Sequence, residues 1–287
     1  MNNLLRSIAC LFLFVSLPSF GAYSFGYSGY YGGIRGYDTH AGGLTHQISA
    51  SLDADKLQIF NDVIYGYSGS HNTIFGYDIN TGQEVLATSL QKRPESWDIG
   101  PDLTLTGFSG YYGQIMTYDI NTGAVINEIS AAGMNALVTD GNGAAFGYSG
   151  YYGGIRVYDT DAGGLTHQIS ASLDGDKLQV YNDVIYGYSG SHNTIFGYDI
   201  NTGQEVLATS LQKRPESWHI GPDLTLTGFS GYYGQIMTYD INTGAVINEV
   251  PAAGMNALVT YSPVPLPAGI YLFVSGLIGL LMARRKS

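Results

Sequence analysis

Residues 25–139 and 146–260 are the same text written twice at a constant offset of 121, and the 115 aligned pairs contain only eight differences. Among these are Gly36 against Val157, His40 against Asp161 and Asp98 against His219. Each copy carries a finer repeat. A Tyr/Phe-Ser-Gly signature begins at Tyr27, Tyr67, Phe108, Tyr148, Tyr188 and Phe229, at intervals of 40 or 41 residues. A chain built this way must fold the same small unit six times and give each unit a neighbour to bury its apolar face. Several short strands per unit at this period are the mark of a propeller blade.

The strands can be read in the second unit. "KLQIF" (56–60), an Asn-Asp turn, "VIYGY" (63–67), a loop, "TIFGYDI" (73–79), an Asn-Thr-Gly turn and "EVLATSL" (84–90) make four antiparallel strands, A to D, with hairpin-type residues at the turns. Forty glycines and 24 tyrosines suit strands and turns, and few stretches show a helical period. Strand A is missing before Tyr27, because "AYSFGY" already reads as strand B. After the sixth unit, "AAGMNALVTY" (252–261) matches the segment that supplies strand A to the fourth unit. The expected fold is therefore all-β, a single six-bladed propeller over 23–262 whose C-terminal strand completes the N-terminal blade. Closure of this kind leaves only short, protected edges.

The ends differ in composition. Residues 1–22 hold Arg6, an apolar run from Ile8 to Leu17 and then small residues without an acid, the layout of a secretory signal peptide. Cys10, the only cysteine, falls inside it, so the processed chain is expected to have neither disulfides nor thiolate metal sites. The C-terminal segment 263–287 opens with Val264, Pro265, Leu266 and Pro267, continues apolar over 268–283 as a predicted helix, and closes with Arg284, Arg285 and Lys286. Sixteen apolar residues are short for a bilayer span of about 20. The Pro-rich start, apolar run and Arg cluster resemble the PEP-CTERM sorting tail, also known as the ice-binding protein C-terminal domain. That resemblance implies export, handling by an exosortase in the inner membrane, and delivery to the cell surface or an extracellular polysaccharide matrix. Without both ends, 8 basic groups face 23 acidic ones, a net charge of −15. Nucleic acid and anionic lipid are poor partners for such a surface.

The recurring "YDINTG" at 77–82, 118–123, 198–203 and 239–244 resembles the strand-turn of PQQ-like and WD40-like propeller blades. Leu86 and Ile126 stand where the PQQ-type repeat carries a Trp, so no quinone or other cofactor is expected. The resemblance bears on the fold, and fold alone does not set function.

In a four-stranded blade the B–C and D–A loops share one end of the ring. Tyr30, Tyr31, Tyr111, Tyr112, Tyr151, Tyr152, Tyr232 and Tyr233 sit in B–C loops. The D–A loops "QKRPESW" add Arg93, Glu95 and Trp97, and, half a ring away, Arg214, Glu216 and Trp218. Flat apolar rings with polar tips suit stacking on sugars or on a partner protein. The competing reading is that these aromatics pack over their own loops. Strand glycines such as Gly66 and Gly76 read as packing devices. His71 and His192 lack the paired ligands of a metal site, and the Asp53/Asp55 and Asp174/Asp176 pairs lack the remaining ligands of a calcium loop. "GYSGY" is not a nucleophile elbow, because its serine opens a hairpin rather than a helix. The sequence therefore points to an exported, non-catalytic, monomeric propeller that binds exopolysaccharide or surface protein through a Tyr/Trp face. The alternatives are a hydrolase or lyase of matrix polysaccharide, and a structural matrix protein without a specific ligand.

Overall fold

Each "YD" at the end of a C strand starts a turn, and the aspartate makes the turn by accepting hydrogen bonds from the backbone beyond it. Asp78 Oδ1 accepts from Thr81 N at 2.7 Å and from Thr81 Oγ1 at 2.9 Å. Asp38, Asp119, Asp159, Asp199 and Asp240 do the same in the other blades. These bonds hold Asp38, Asp78, Asp199 and Asp240 below the usual carboxylate range, so part of the chain's acidity is structural. The A–B turn of the second blade is equally local. Asn61 and Asp62, both at positive φ (47° and 60°), form the two-residue hairpin turn that matches the twist of paired strands.

The computed structural model describes residues 22–29, 32–50, 52, 56–100, 102–131, 133–150, 153–171, 173, 177–221 and 224–261. The expected signal peptide, sorting tail and apolar helix lie outside the described residues. Among the described residues all regular structure is β, with no helix long and apolar enough to cross a membrane. The strands form six antiparallel four-stranded sheets, as the repeat predicts. The second blade runs β4 (Leu57–Phe60), β5 (Val63–Ser68), β6 (Thr73–Asp78) and β7 (Glu84–Ser89), within a residue of the strands read from the sequence. The first blade has the order β24-β1-β2-β3, with β24 at Ala257–Tyr261, β1 at Tyr23–Ser28, β2 at Gly33–Asp38 and β3 at Leu44–Ser49. Tyr23 pairs with Tyr261 and Tyr27 with Ala257, so the last strand closes the ring.

The core lies between blades. One cluster joins Phe25, Ile34 and Ala257 of the first blade to Leu57, Ile64 and Tyr77 of the second, and another joins Phe229 and Ile236 of the sixth to Tyr37 and Leu258 of the first. B strands are buried on both faces, and their glycines make room for the D–A loops. A Cβ at Gly107 would stand 2.7 Å from Pro94 Cβ, and one at Gly66 would stand 2.6 Å from Leu52. The buried tyrosines tie the same loops down: Tyr118 and Tyr239 each donate to a D–A carbonyl, Lys92 O and Lys213 O, at 3.0 Å. D–A loops and B–C loops are thereby gathered at one end of the ring. The A strands of neighbouring blades, including β8 (Ser96–Ile99), β12 (Ala136–Thr139), β16 (Leu178–Tyr181) and β20 (Ser217–Ile220), lie against one another around the axis.

Candidate functional site

Two B–C loops three blades apart present identical aromatic pairs. Tyr111 is 86% exposed and Tyr232 is 87% exposed, while Tyr112 and Tyr233 are about half covered. Each pair is edge-to-face, with ring centroids 5.0 Å apart. Behind each stands a lysine of the D–A loop, Lys92 Nζ at 5.1 Å from the Tyr112 ring and Lys213 Nζ at 5.0 Å from the Tyr233 ring. Those lysines pair with Glu128 and Glu249 at 2.6 Å. Glu95 and Glu216 brace the loops from below by accepting the backbone N–H of Tyr111 and of Tyr232 at 3.3 Å. Tyr30, Tyr31, Tyr151 and Tyr152, the other four tyrosines of the expected face, lie outside the described residues.

The tryptophans are placed differently from the sequence expectation. The D–A loop ends at Glu95, and Trp97 and Trp218 belong to β8 and β20, where they are 5% and 4% exposed. Each pairs with a strand-B glycine, Gly107 or Gly228, where a Cβ would stand 2.7 Å from the loop proline, Pro94 or Pro215. Both rings join the packing between blades, and Trp97 is also among the residues that line the cavity described next. Arg93 and Arg214 are exposed on their loops, and Arg93 lines the cavity described next.

At the axis, on the loop end, a cavity of about 470 Å³ is lined by Lys56, Lys177, Arg93, Glu95, Tyr67 and Trp97 among others. The partners of its two lysines are where the halves diverge. Lys56 Nζ donates to Trp97 O at 2.6 Å and to Asp98 Oδ1 at 2.8 Å. Asp98 also accepts from Gln58 Nε2 at 2.6 Å, Thr139 N at 2.9 Å and Thr139 Oγ1 at 2.8 Å, so this buried carboxylate joins three consecutive blades. In the other half Lys177 Nζ donates to Trp218 O at 2.5 Å and Leu258 O at 3.3 Å. The residue in the position of Asp98 is His219, whose Nδ1 lies 2.6 Å from Thr260 Oγ1. Burial, together with the positive charge of Lys56, pulls Lys177 down to about 7. Burial and the charges of Lys177 and Lys56 hold His219 well below the usual imidazole value. The exchange at 98/219 is visible in the sequence; the two lysines, ordinary residues ahead of an A strand, carry no local signal.

The histidines of the B–C loops, His71 and His192, lie within hydrogen-bond distance of Ser68 and Ser189 at 3.0 and 2.9 Å. Among the described residues no group of three His, Cys, Asp or Glu side chains is placed to hold a metal ion.

No protein-family model matches the chain, and no curated protein does. Solved structures match over most of the ring. A chain of a nidogen/laminin complex aligns with a TM-score of 0.62 at 11% identity, covering 84% of this chain and 98% of that one. Hydrazine synthase of Kuenenia stuttgartiensis aligns at 0.55 and 12% identity, with coverages of 77% and 99%. The computationally designed Ika8 protein aligns at 0.52 and 16% identity, with coverages of 78% and 82%. Identities this low establish the shared propeller fold and nothing about the ligand.

Proposed function

We propose that this chain is an exported, non-catalytic propeller that holds polysaccharide at the cell surface or in the extracellular matrix, on the end of the ring where the tyrosine pairs stand. The observation that carries this reading is the exposure of Tyr111 and Tyr232, each held in a fixed edge-to-face pair on a braced loop. Leaving a large ring uncovered forgoes burial free energy on the order of 1.5–3 kcal/mol, and the loss is repeated at two sites. A rigid ring with a polar tip stacks on a sugar at little entropic cost. Surface protein is the second class of partner such a face suits. Export rests on the signal-peptide layout of residues 1–22, and handling by an exosortase on the resemblance of residues 263–287 to a sorting tail. The hydrolase or lyase reading is less well supported, because Glu95 and Glu216 are each engaged with the backbone of their own tyrosine loops.

The test is a binding isotherm of the full chain, purified in non-ionic detergent, against the host's exopolysaccharide, with reducing ends followed in the same samples. Saturable binding without new chain ends, weakened tenfold or more (about 1.4 kcal/mol) by Tyr111→Ala with Tyr232→Ala, is the expected outcome. New reducing ends would replace this reading with the hydrolytic one, and undiminished binding by the double variant would move the site off the tyrosines.

A further inference from the structure

The ring carries a net charge of −15, yet the cavity at its axis is lined by three cationic side chains, Lys56, Lys177 and Arg93, against one carboxylate, Glu95. That carboxylate accepts the Tyr111 N–H, and Lys56 is paired with Asp98. Lys177 is different. It is largely buried, its ammonium has three protons to donate, and its hydrogen bonds go to the carbonyls of Trp218 and Leu258. Among the described residues it has no carboxylate partner, because His219 occupies the position that Asp98 fills in the other half. A buried ammonium without a counter-charge is costly, and here a second ammonium, Lys56, lines the same cavity.

We propose that this cavity is a binding site for an oxyanion, a carboxylate or sulfate group of a ligand, which takes the place beside Lys177 that the Asp98 carboxylate takes beside Lys56. The ligand supplies the missing counter-charge and accepts the remaining ammonium proton, with Lys56 and Arg93 on the cavity wall adding long-range attraction. The volume of about 470 Å³ admits a hexuronate-sized group, and the site opens on the same end of the ring as the tyrosine pairs. It stands whether or not those pairs bind sugar. The titratable and charged groups that face Lys177 among the described residues are Lys56 and His219, with Arg93 and Glu95 at the cavity wall. His219 is neutral near pH 7, so the pH response belongs to Lys177, whose charge is present below about pH 7 and lost above it.

The probes are D-glucuronate and polygalacturonate, with D-glucose as the neutral control, titrated calorimetrically into the full chain in non-ionic detergent. Glucuronate is expected to bind saturably, glucose not at all, and the affinity is expected to fall about tenfold or more between about pH 6 and pH 9 as Lys177 loses its proton. Binding of polygalacturonate as well identifies a uronate within a polymer as the source of the anion; binding of glucuronate alone identifies a free small acid. His219→Asp gives the second half the residue that the first half tolerates at this position, so it keeps the fold, as a thermal melt checks, and is expected to abolish anion binding by placing an internal carboxylate beside Lys177. Lys177→Met does the same by removing the cation. Tyr111→Ala with Tyr232→Ala leaves anion binding in place, which separates a failure here from a failure of the polysaccharide reading. Absence of glucuronate binding at low pH, or binding undiminished in a folded His219→Asp variant, overturns the assignment.

Discussion

Around Asp98 and around His219 the same backbone, the same flanking strands and the same incoming lysine are used to opposite ends. In the first half a buried carboxylate draws Lys56, Gln58 and Thr139 together, and the charge it carries is neutralised on the spot. In the second half the imidazole meets Thr260 and the lysine meets two carbonyls and the face of the Trp218 ring, 5.5 Å from its centroid. Each blade is stabilised by burial between neighbours, which both halves share to within a few methyl groups. The axis, lined by A-strand side chains that interblade packing does not specify, is where a duplicated ring can change its chemistry at low cost to its stability.

The largest expected effect of breaking this comparison comes from Asp98→Ala, which strands Lys56 and Gln58 and deprives Thr139 of its acceptor. A loss of about 3–5 kcal/mol is expected for removing one member of a buried pair, against about 1 kcal/mol for His219→Ala, which removes one hydrogen bond. Denaturant unfolding of both variants measures the difference, and equal losses would mean that the two nodes are energetically alike.

A smaller effect separates the halves by pH. Lys177 releases its proton at about 7 when folded and near 10.5 when unfolded. Between those values the unfolded chain binds more protons, so stability rises as pH rises through that window, by about 1–2 kcal/mol from pH 7 to 9 after allowance for the water that still reaches the lysine. Melting temperatures of the unaltered chain are expected to show this rise, and those of His219→Asp are not. His219 acts in the same direction on the acid side: its folded value lies below its unfolded one, so stability falls as pH drops below about 6.5.

The smallest prediction sharpens what the halves share. Tyr118→Phe and Tyr239→Phe each remove one hydrogen bond to a D–A carbonyl and are expected to cost about 1 kcal/mol apiece. Three blades apart and without shared partners, the two losses are expected to add. Unequal losses would place a difference between the halves outside the axis as well.

Sequence reading and structure diverge at particular residues. The blade count, the strand order and the ring closure by Ala257–Tyr261 were legible because each rests on local, repeated signals: Asn-Asp and Asn-Thr-Gly turns, alternating apolar runs, and an A strand missing at one end and surplus at the other. Tyr111 and Tyr232 were legible as loop residues for the same reason. Trp97 was misplaced by two residues of loop, enough to carry it from an exposed rim into a buried strand, because a Trp beside Pro, Glu and Ser looks like a loop residue until its partner Gly107 is seen opposite it.

By itself the sequence determined that this chain is a closed ring of six four-stranded blades, since turn chemistry and a 40-residue period act over short range and each blade must bury its faces on its neighbours. Only the tertiary structure decided what stands at the axis. Lys56 meets Asp98 and Lys177 meets the carbonyl of Trp218 across 42 and 41 residues of chain, one full period away. Packing adjacent blades together is what turns that separation into contact, and with it an Asp-to-His exchange leaves a lysine that, among the described residues, has no carboxylate partner.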